Sequence, residues 1–93
     1  MGIRLVIVDD APFIREVLKH IFLPTEIEVV AEAQDGFEAV DVVKSLRPQV
    51  VLMDIVMPKK SGIEAAAEIL KEFPNTKIIA CSTVDQNNMV MRA

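Results

Sequence analysis

The chain has 93 residues, of which 52% are hydrophobic and 26% charged, so it is expected to form one compact globular domain rather than a disordered segment. Fourteen acidic against ten basic residues give a formal net charge of −4 with no basic block, which argues against nucleic acid or an anionic membrane as a partner of this segment. A single cysteine, Cys81, excludes an internal disulfide, and neither a membrane-spanning run nor a signal-peptide pattern occurs, so we expect a cytoplasmic domain.

Four short apolar runs rich in valine and isoleucine alternate with segments of helical periodicity. Runs of this kind are typical of strands buried on both faces. They predict strands over Ile3–Val8, Ile27–Ala33, Val50–Met53 and Ile78–Cys81. The segments between them repeat apolar residues at intervals of three and four. These apolar stripes are Phe13, Val17, Leu18 and Ile21, then Phe37, Val40 and Val43, then Ile63, Ala66, Ala67 and Leu70.

Capping residues mark where the three helices begin. Pro12 suits a first helical position, because its missing N–H would have no helical partner there. Asp35 is a predicted N-cap, and Ser61 with Glu64 forms a predicted capping box. The helices are followed by Pro24, Pro48 and Pro74, and a fourth helix is predicted to begin within Asp85 to Ala93. The alternating order predicts a parallel sheet, because parallel neighbours are joined by crossovers.

Acidic and hydroxyl side chains follow three of the four predicted strands. Asp9 and Asp10 follow the first strand, Asp54 the third, and Ser82 the fourth, with Thr83 a weaker candidate beside it. Ligands of open parallel sheets bind outside the carboxyl ends of the strands. If the first and third strands are neighbours, three carboxylates meet there, and their repulsion calls for a cation.

Magnesium is the best candidate for that cation. It needs only one or two carboxylates and leaves positions for a phosphate, whereas calcium usually asks for more protein oxygens. Aspartate is also a nucleophile toward phosphoryl groups. Asp54 is the predicted nucleophile, because it ends a buried strand and a loop follows at once.

Three motifs in order give the chain a resemblance to a known family. Val6 to Asp10, Met53 to Pro58 with Gly62, and Ile78 to Ser82 resemble the receiver domain of two-component response regulators of the CheY-like, chemotaxis type. The resemblance implies an α/β, flavodoxin-like open parallel sheet of strand order 2-1-3-4 in a three-layer sandwich. It also implies that residues 1–93 form a receiver domain that is incomplete at its C-terminus. The fifth strand, the lysine that it carries and the fifth helix would be lacking.

The resemblance also implies a role for each matching residue. Asp54 would accept a phosphoryl group from the phosphohistidine of a sensor histidine kinase. Asp10 and Asp54 would bind Mg²⁺ directly, the carbonyl of Val56 would add a third ligand, and Asp9 would act through a metal-bound water. Ser82 would hydrogen-bond the phosphoryl group and switch the affinity for a downstream protein or an effector domain. Such a domain is not an enzyme beyond its own phosphorylation and dephosphorylation.

Two alternatives remain open at this stage. One is a non-signalling fragment that forms a homodimer or swaps elements through the fourth strand, which would become an edge. The other is a Mg²⁺-dependent aspartyl phosphatase. Phosphatases of the haloacid dehalogenase type carry Asp-x-Asp on one strand, whereas Asp9 and Asp10 are adjacent here.

Overall fold

A computed structural model describes residues 2–54 and 61–81 of the chain. Strands and helices alternate throughout these residues, as predicted. Two of the four strands have the predicted bounds, and each of the others is one residue longer. The elements are β1 (Ile3–Val8), α1 (Pro12–Phe22), β2 (Ile27–Ala33), α2 (Gly36–Leu46), β3 (Val50–Asp54), α3 (Gly62–Glu72) and β4 (Lys77–Cys81). The predicted fourth helix lies outside the described residues.

The four strands form one parallel sheet of order β2-β1-β3-β4. This order confirms the predicted flavodoxin-like arrangement, and residues 2–54 and 61–81 contain no fifth strand. The central strands β1 and β3 are in register with Val8 opposite Met53. The residues that follow these two therefore reach the same edge of the sheet.

The two faces of the sheet carry different helices. Val6 and Val8 of β1 join Val51 and Met53 of β3 in a buried cluster with side chains of α2 and α3. On β2, Ala31 and Ala33 lie on this face, and Glu32 between them points to the opposite face, because strand side chains alternate. There Glu32 pairs with α1, so the helices cover both faces of the sheet.

Several predicted apolar stripes do not match the buried faces of the helices. In α3 the stripe was wrong: Ile63, Ala67 and Leu70 are exposed, and the helix buries Gly62, Ala65 and Ile69 instead. Apolar residues occupy so many positions of α3 that two neighbouring rows of side chains along the helix both have helical spacing. The row that contains Ala65 is the one that packs on the sheet. In α2, Val40 and Val43 are buried as expected, but Phe37 is exposed. Helix α1 has no buried residue, and three members of its predicted stripe are exposed, namely Phe13, Val17 and Ile21.

The predicted burial of all strands on both faces is also only partly correct. The central strands β1 and β3 have buried residues on both faces. The outer strands are more accessible, and Ile79 of β4 is 50% exposed. Burial on both faces therefore holds for the two strands that have neighbours on both sides.

The predicted helix caps are present. The N–H of Glu38 donates to Oδ1 of Asp35 at 2.9 Å, and Pro12 is at the start of α1. The N–H of Glu64 donates to Oγ of Ser61, and the N–H of Ser61 donates to Oε1 of Glu64, both at 3.2 Å. Asp35 and Ser61 each satisfy a backbone donor that has no partner within the helix, whereas α1 has no side-chain cap. None of the helices in the described part of the chain has the length and apolar character needed to cross a bilayer.

Candidate functional site

Three carboxylates lie together at the carboxyl ends of β1 and β3. One oxygen from each of Asp9, Asp10 and Asp54 lies within 4.8 Å of the others. The register of the two strands explains this cluster, because Val8 and Met53 are paired and an aspartate follows each. The structure thus brings together the three acidic residues that the sequence placed at one site.

Two of these carboxylates are buried, and one is at the surface. Asp9 is 1% exposed and Asp54 is 0% exposed, whereas Asp10 is exposed. The N–H of Ala11 donates to Oδ1 of Asp9 at 2.9 Å. The other oxygen, Oδ2 of Asp9, is buried without a hydrogen-bond partner among the described residues. A buried acceptor of this kind is destabilising unless a donor or a cation reaches it.

The surroundings of Asp9 raise the pKa of its carboxyl group. Burial is the main cause, and the negative charge of Asp10 acts in the same direction. The N–H of Ala11 and the positive charge of Arg15 act in the opposite direction. A divalent cation at this site would favour the ionised form of Asp9, since it brings the opposite charge.

Arg15 and Glu32 connect the acidic cluster to α1 and β2. The guanidinium of Arg15 donates from Nη1 to the backbone carbonyl of Asp9 at 2.6 Å and from Nε to Glu32 Oε1 at 2.8 Å. Neither residue was predicted from sequence to belong to the site. Glu32 could have given a signal, because a charged side chain within an apolar strand needs a partner.

Cys81 lies beside the acidic cluster. It pairs in register with Asp54, and it is half-buried. Burial raises the pKa of the Cys81 thiol, and the negative charges of Asp54 and Asp9 raise it further. Because the thiolate is the reactive form, this environment disfavours chemistry at sulfur.

The remaining predicted site residues lie outside the described part of the chain. They are Val56, the predicted carbonyl ligand, and Ser82, the predicted switch hydroxyl, together with its neighbour Thr83. The lone histidine, His20, is on α1 with its Nδ1 3.0 Å from the carbonyl of Glu16. This contact holds the His20 ring against the backbone of its own helix.

Comparison with known proteins identifies similar sequences over the whole chain. The family model of the response regulator receiver domain matches residues 5–93. The chemotaxis protein CheY of Thermotoga maritima is 50% identical over 93 residues, which are 100% of this chain and 78% of that protein. The chemotaxis protein CheY of Bacillus subtilis is 44% identical, with the same coverage of both chains.

Solved structures of similar fold come from the same class of protein. The response regulator domain of Thermotoga maritima CheB has a TM-score of 0.86 and 40% identity, over 99% of this chain and 69% of that one. A CheX-CheY complex with BeF₃ and Mg²⁺ from Borrelia burgdorferi has a TM-score of 0.84 and 31% identity, over 96% of this chain and 68% of the matched chain.

Proposed function

The chain belongs to the response regulator receiver domain family of two-component signalling, and on that premise we propose that Asp54 accepts a phosphoryl group in a Mg²⁺-dependent reaction. Its similarity to CheY proteins supports a chemotaxis-type role. The observation that carries the proposal is the cluster of Asp9, Asp10 and Asp54, whose oxygens lie within 4.8 Å of one another.

The acidic cluster suits a hard divalent cation. Oδ2 of Asp9 is a buried acceptor without a donor among the described residues, and three carboxylates offer oxygen ligands. Asp10 and Asp54 would bind Mg²⁺ directly, with Asp9 acting through a water and the carbonyl of Val56 as a further ligand. When bound, Mg²⁺ would offset the charge of the carboxylates and of an incoming phosphoryl group.

In the proposed step a carboxylate oxygen of Asp54 forms a bond to phosphorus. The phosphorus–nitrogen bond to the phosphohistidine of a sensor kinase breaks, and its electron pair remains on the imidazole, which takes up a proton. Asp54 is fixed at the end of a central strand and is 0% exposed, so its carboxylate is held in place before the reaction.

The switch that follows would use the neighbouring strand. Cys81 pairs with Asp54, so Ser82 is the next residue after the strand beside the phosphoacceptor. We assign to its hydroxyl a hydrogen bond to the phosphoryl group. The added charge would then change the affinity of this surface for a downstream protein or an effector domain. We place this signalling in the cytoplasm, which suits a chain with a single cysteine.

The proposal is tested by phosphorylating the chain with a small phosphodonor. The protein is incubated with Mg²⁺ and acetyl phosphate, and its intact mass is measured. We expect the mass of one phosphoryl group to be added to the wild type and to Asp41→Asn, whose carboxylate is exposed on α2, but not to Asp54→Asn. An adduct that persists in Asp54→Asn, or no adduct on the wild type, would overturn the proposal. Sustained hydrolysis of a phosphoester would instead favour the phosphatase alternative.

A further inference from the structure

Arg15 joins three elements around the acidic cluster. From α1 its Nη1 donates to the carbonyl of Asp9 just after β1, and its Nε donates to Glu32 on β2. The Arg15 side chain is 17% exposed and that of Glu32 is 31% exposed, so water screens this pair less than it screens a surface ion pair. The guanidinium suits such a bridge, because its donors are held in a fixed planar arrangement.

The contact with the Asp9 carbonyl bears directly on Asp10. A peptide bond is planar, so the carbonyl oxygen of Asp9 lies in the same plane as the nitrogen and Cα of Asp10. Holding that oxygen therefore fixes the direction in which the chain reaches Asp10. Because Asp10 is exposed, the placement of its carboxylate depends more on this backbone than on side-chain packing.

The positive charge of Arg15 is balanced by acidic partners, which limits its repulsion of a cation at the acidic cluster. Lys19 Nζ lies 2.8 Å from Glu32 Oε2 and 2.7 Å from Glu16 Oε2, so two cations and two anions form one neutral network. The pKa of Glu32 is lowered, mainly by the hydrogen bond from Lys19 and also by Arg15, and its carboxylate remains ionised at neutral pH. The network can orient the backbone without adding net charge.

We propose that Arg15 is a positioning residue for the divalent cation, and that it acts by holding the Asp9–Asp10 backbone while Glu32 holds the guanidinium. This inference rests on the proposed function, since it assumes that the three carboxylates bind Mg²⁺. Groups that orient metal ligands from outside the coordination sphere commonly affect metal affinity by about 10-fold to 100-fold when they are removed.

Arg15→Met and Lys19→Met form a matched pair of variants. Each removes one positive charge that pairs with Glu32, but only Arg15→Met loses the contact with the Asp9 carbonyl. By charge alone, both variants should bind a cation as tightly as the wild type or more tightly. We expect Arg15→Met to weaken Mg²⁺ binding by about 10-fold, which is the lower end of the range for groups that orient metal ligands from outside the coordination sphere. We expect Lys19→Met not to weaken Mg²⁺ binding.

The affinity is measured by titrating the chain with Mg²⁺ and following the backbone amide NMR signals of Asp10 and Asp54. Equal affinity in the two methionine variants would overturn the role of Arg15, whether or not both differ from the wild type. Arg15→Lys keeps the charge but has a single donor nitrogen, so it is expected to bind Mg²⁺ more weakly than the wild type does.

Arg15→Lys also covers the case in which Arg15→Met does not fold, because wild-type affinity in the lysine variant would overturn the inference by itself. Failure of the proposed function gives a different result. If the wild type has no saturable response to Mg²⁺, or if Asp10→Asn binds as well as the wild type, the cation site itself is refuted, and the role of Arg15 with it.

Discussion

Asp9 is the residue at which the proposed function and the stability of the fold oppose each other. Its carboxyl is 1% exposed, and Oδ2 has no hydrogen-bond partner among the described residues. Burial raises the pKa of Asp9, so between the ordinary and the raised pKa the folded protein binds more protons than the unfolded chain. The free energy of unfolding therefore falls as the pH rises through that window, and it stays lower at neutral pH.

Replacing Asp9 by asparagine should remove this penalty. The asparagine side chain would retain an oxygen that can accept from the N–H of Ala11, and it would carry no charge to bury. We expect Asp9→Asn to stabilise the metal-free protein at neutral pH by about 1 kcal/mol, a usual size for a stabilising substitution. The gain should disappear at a pH below the ordinary pKa of aspartate. The difference in unfolding free energy between the variant and the wild type is measured by urea denaturation at neutral pH and at the acidic pH, with a chelator present to remove divalent cations.

Two further comparisons make this result specific. Asp41→Asn, at an exposed carboxylate of α2, is the control and should change the free energy of unfolding by less than about 0.5 kcal/mol, as is usual at the surface. Added Mg²⁺ should raise the unfolding free energy of the wild type more than that of Asp9→Asn, because a ligand stabilises the state that binds it. A metal-free variant that is less stable than the wild type at neutral pH would contradict the argument.

The acidic site could be predicted from sequence because each aspartate follows an apolar strand. The alternation of elements predicted parallel strands, and the resemblance to receiver domains implied that β1 adjoins β3, as the structure shows. Arg15 and Glu32 could not be placed in the same way. Their contact joins a helix to an outer strand. Its link to the acidic site is the hydrogen bond from Arg15 to the backbone carbonyl of Asp9, and a backbone contact of this kind cannot be predicted from residue types.

At the scale of elements, strands and caps were more predictable than helix faces. The N-caps Asp35 and Ser61 act through short-range hydrogen bonds, which local sequence specifies. The buried face of α3 depends on how closely that helix approaches the sheet. With apolar residues at 63, 65–67, 69 and 70, the periodicity alone did not separate the buried row from the exposed one.

Adjacent substitutions in α3 test which row is buried. Ile69 is 1% exposed and belongs to the core cluster, whereas Leu70 is 41% exposed. We expect Ile69→Ala to lower the free energy of unfolding by about 2 to 5 kcal/mol, through lost burial and a cavity. Leu70→Ala should lower it by less than about 1 kcal/mol, because that side chain keeps much of its contact with water.

Urea denaturation of both variants with the wild type measures this difference. Alanine has the highest helix propensity, so neither change should weaken α3 itself. Equal losses in the two variants would contradict the assignment of Ile69 to the buried row, and a larger loss at Leu70 would mean that the row predicted from sequence packs on the sheet.

For the whole molecule, the outer strand β4 raises the question of association. Among the described residues β4 pairs only with β3, and Ile79 on its surface is 50% exposed. An edge strand with accessible apolar side chains can pair with a second chain. The homodimer or element swap predicted from sequence therefore remains a prediction.

We expect the 93-residue chain to associate as its concentration rises, with β4 at the contact. Light scattering after size-exclusion chromatography, over a wide range of concentrations, measures the average mass. Ile79→Lys should shift the chain toward monomer, because a charged side chain at an edge strand opposes pairing with another chain. Ile63→Lys is the matched control: Ile63 is 66% exposed on α3, outside the sheet, and its substitution should leave association unchanged. A wild-type monomer at every concentration would refute the prediction. An equal effect of Ile79→Lys and Ile63→Lys would show that the contact between chains does not depend on β4.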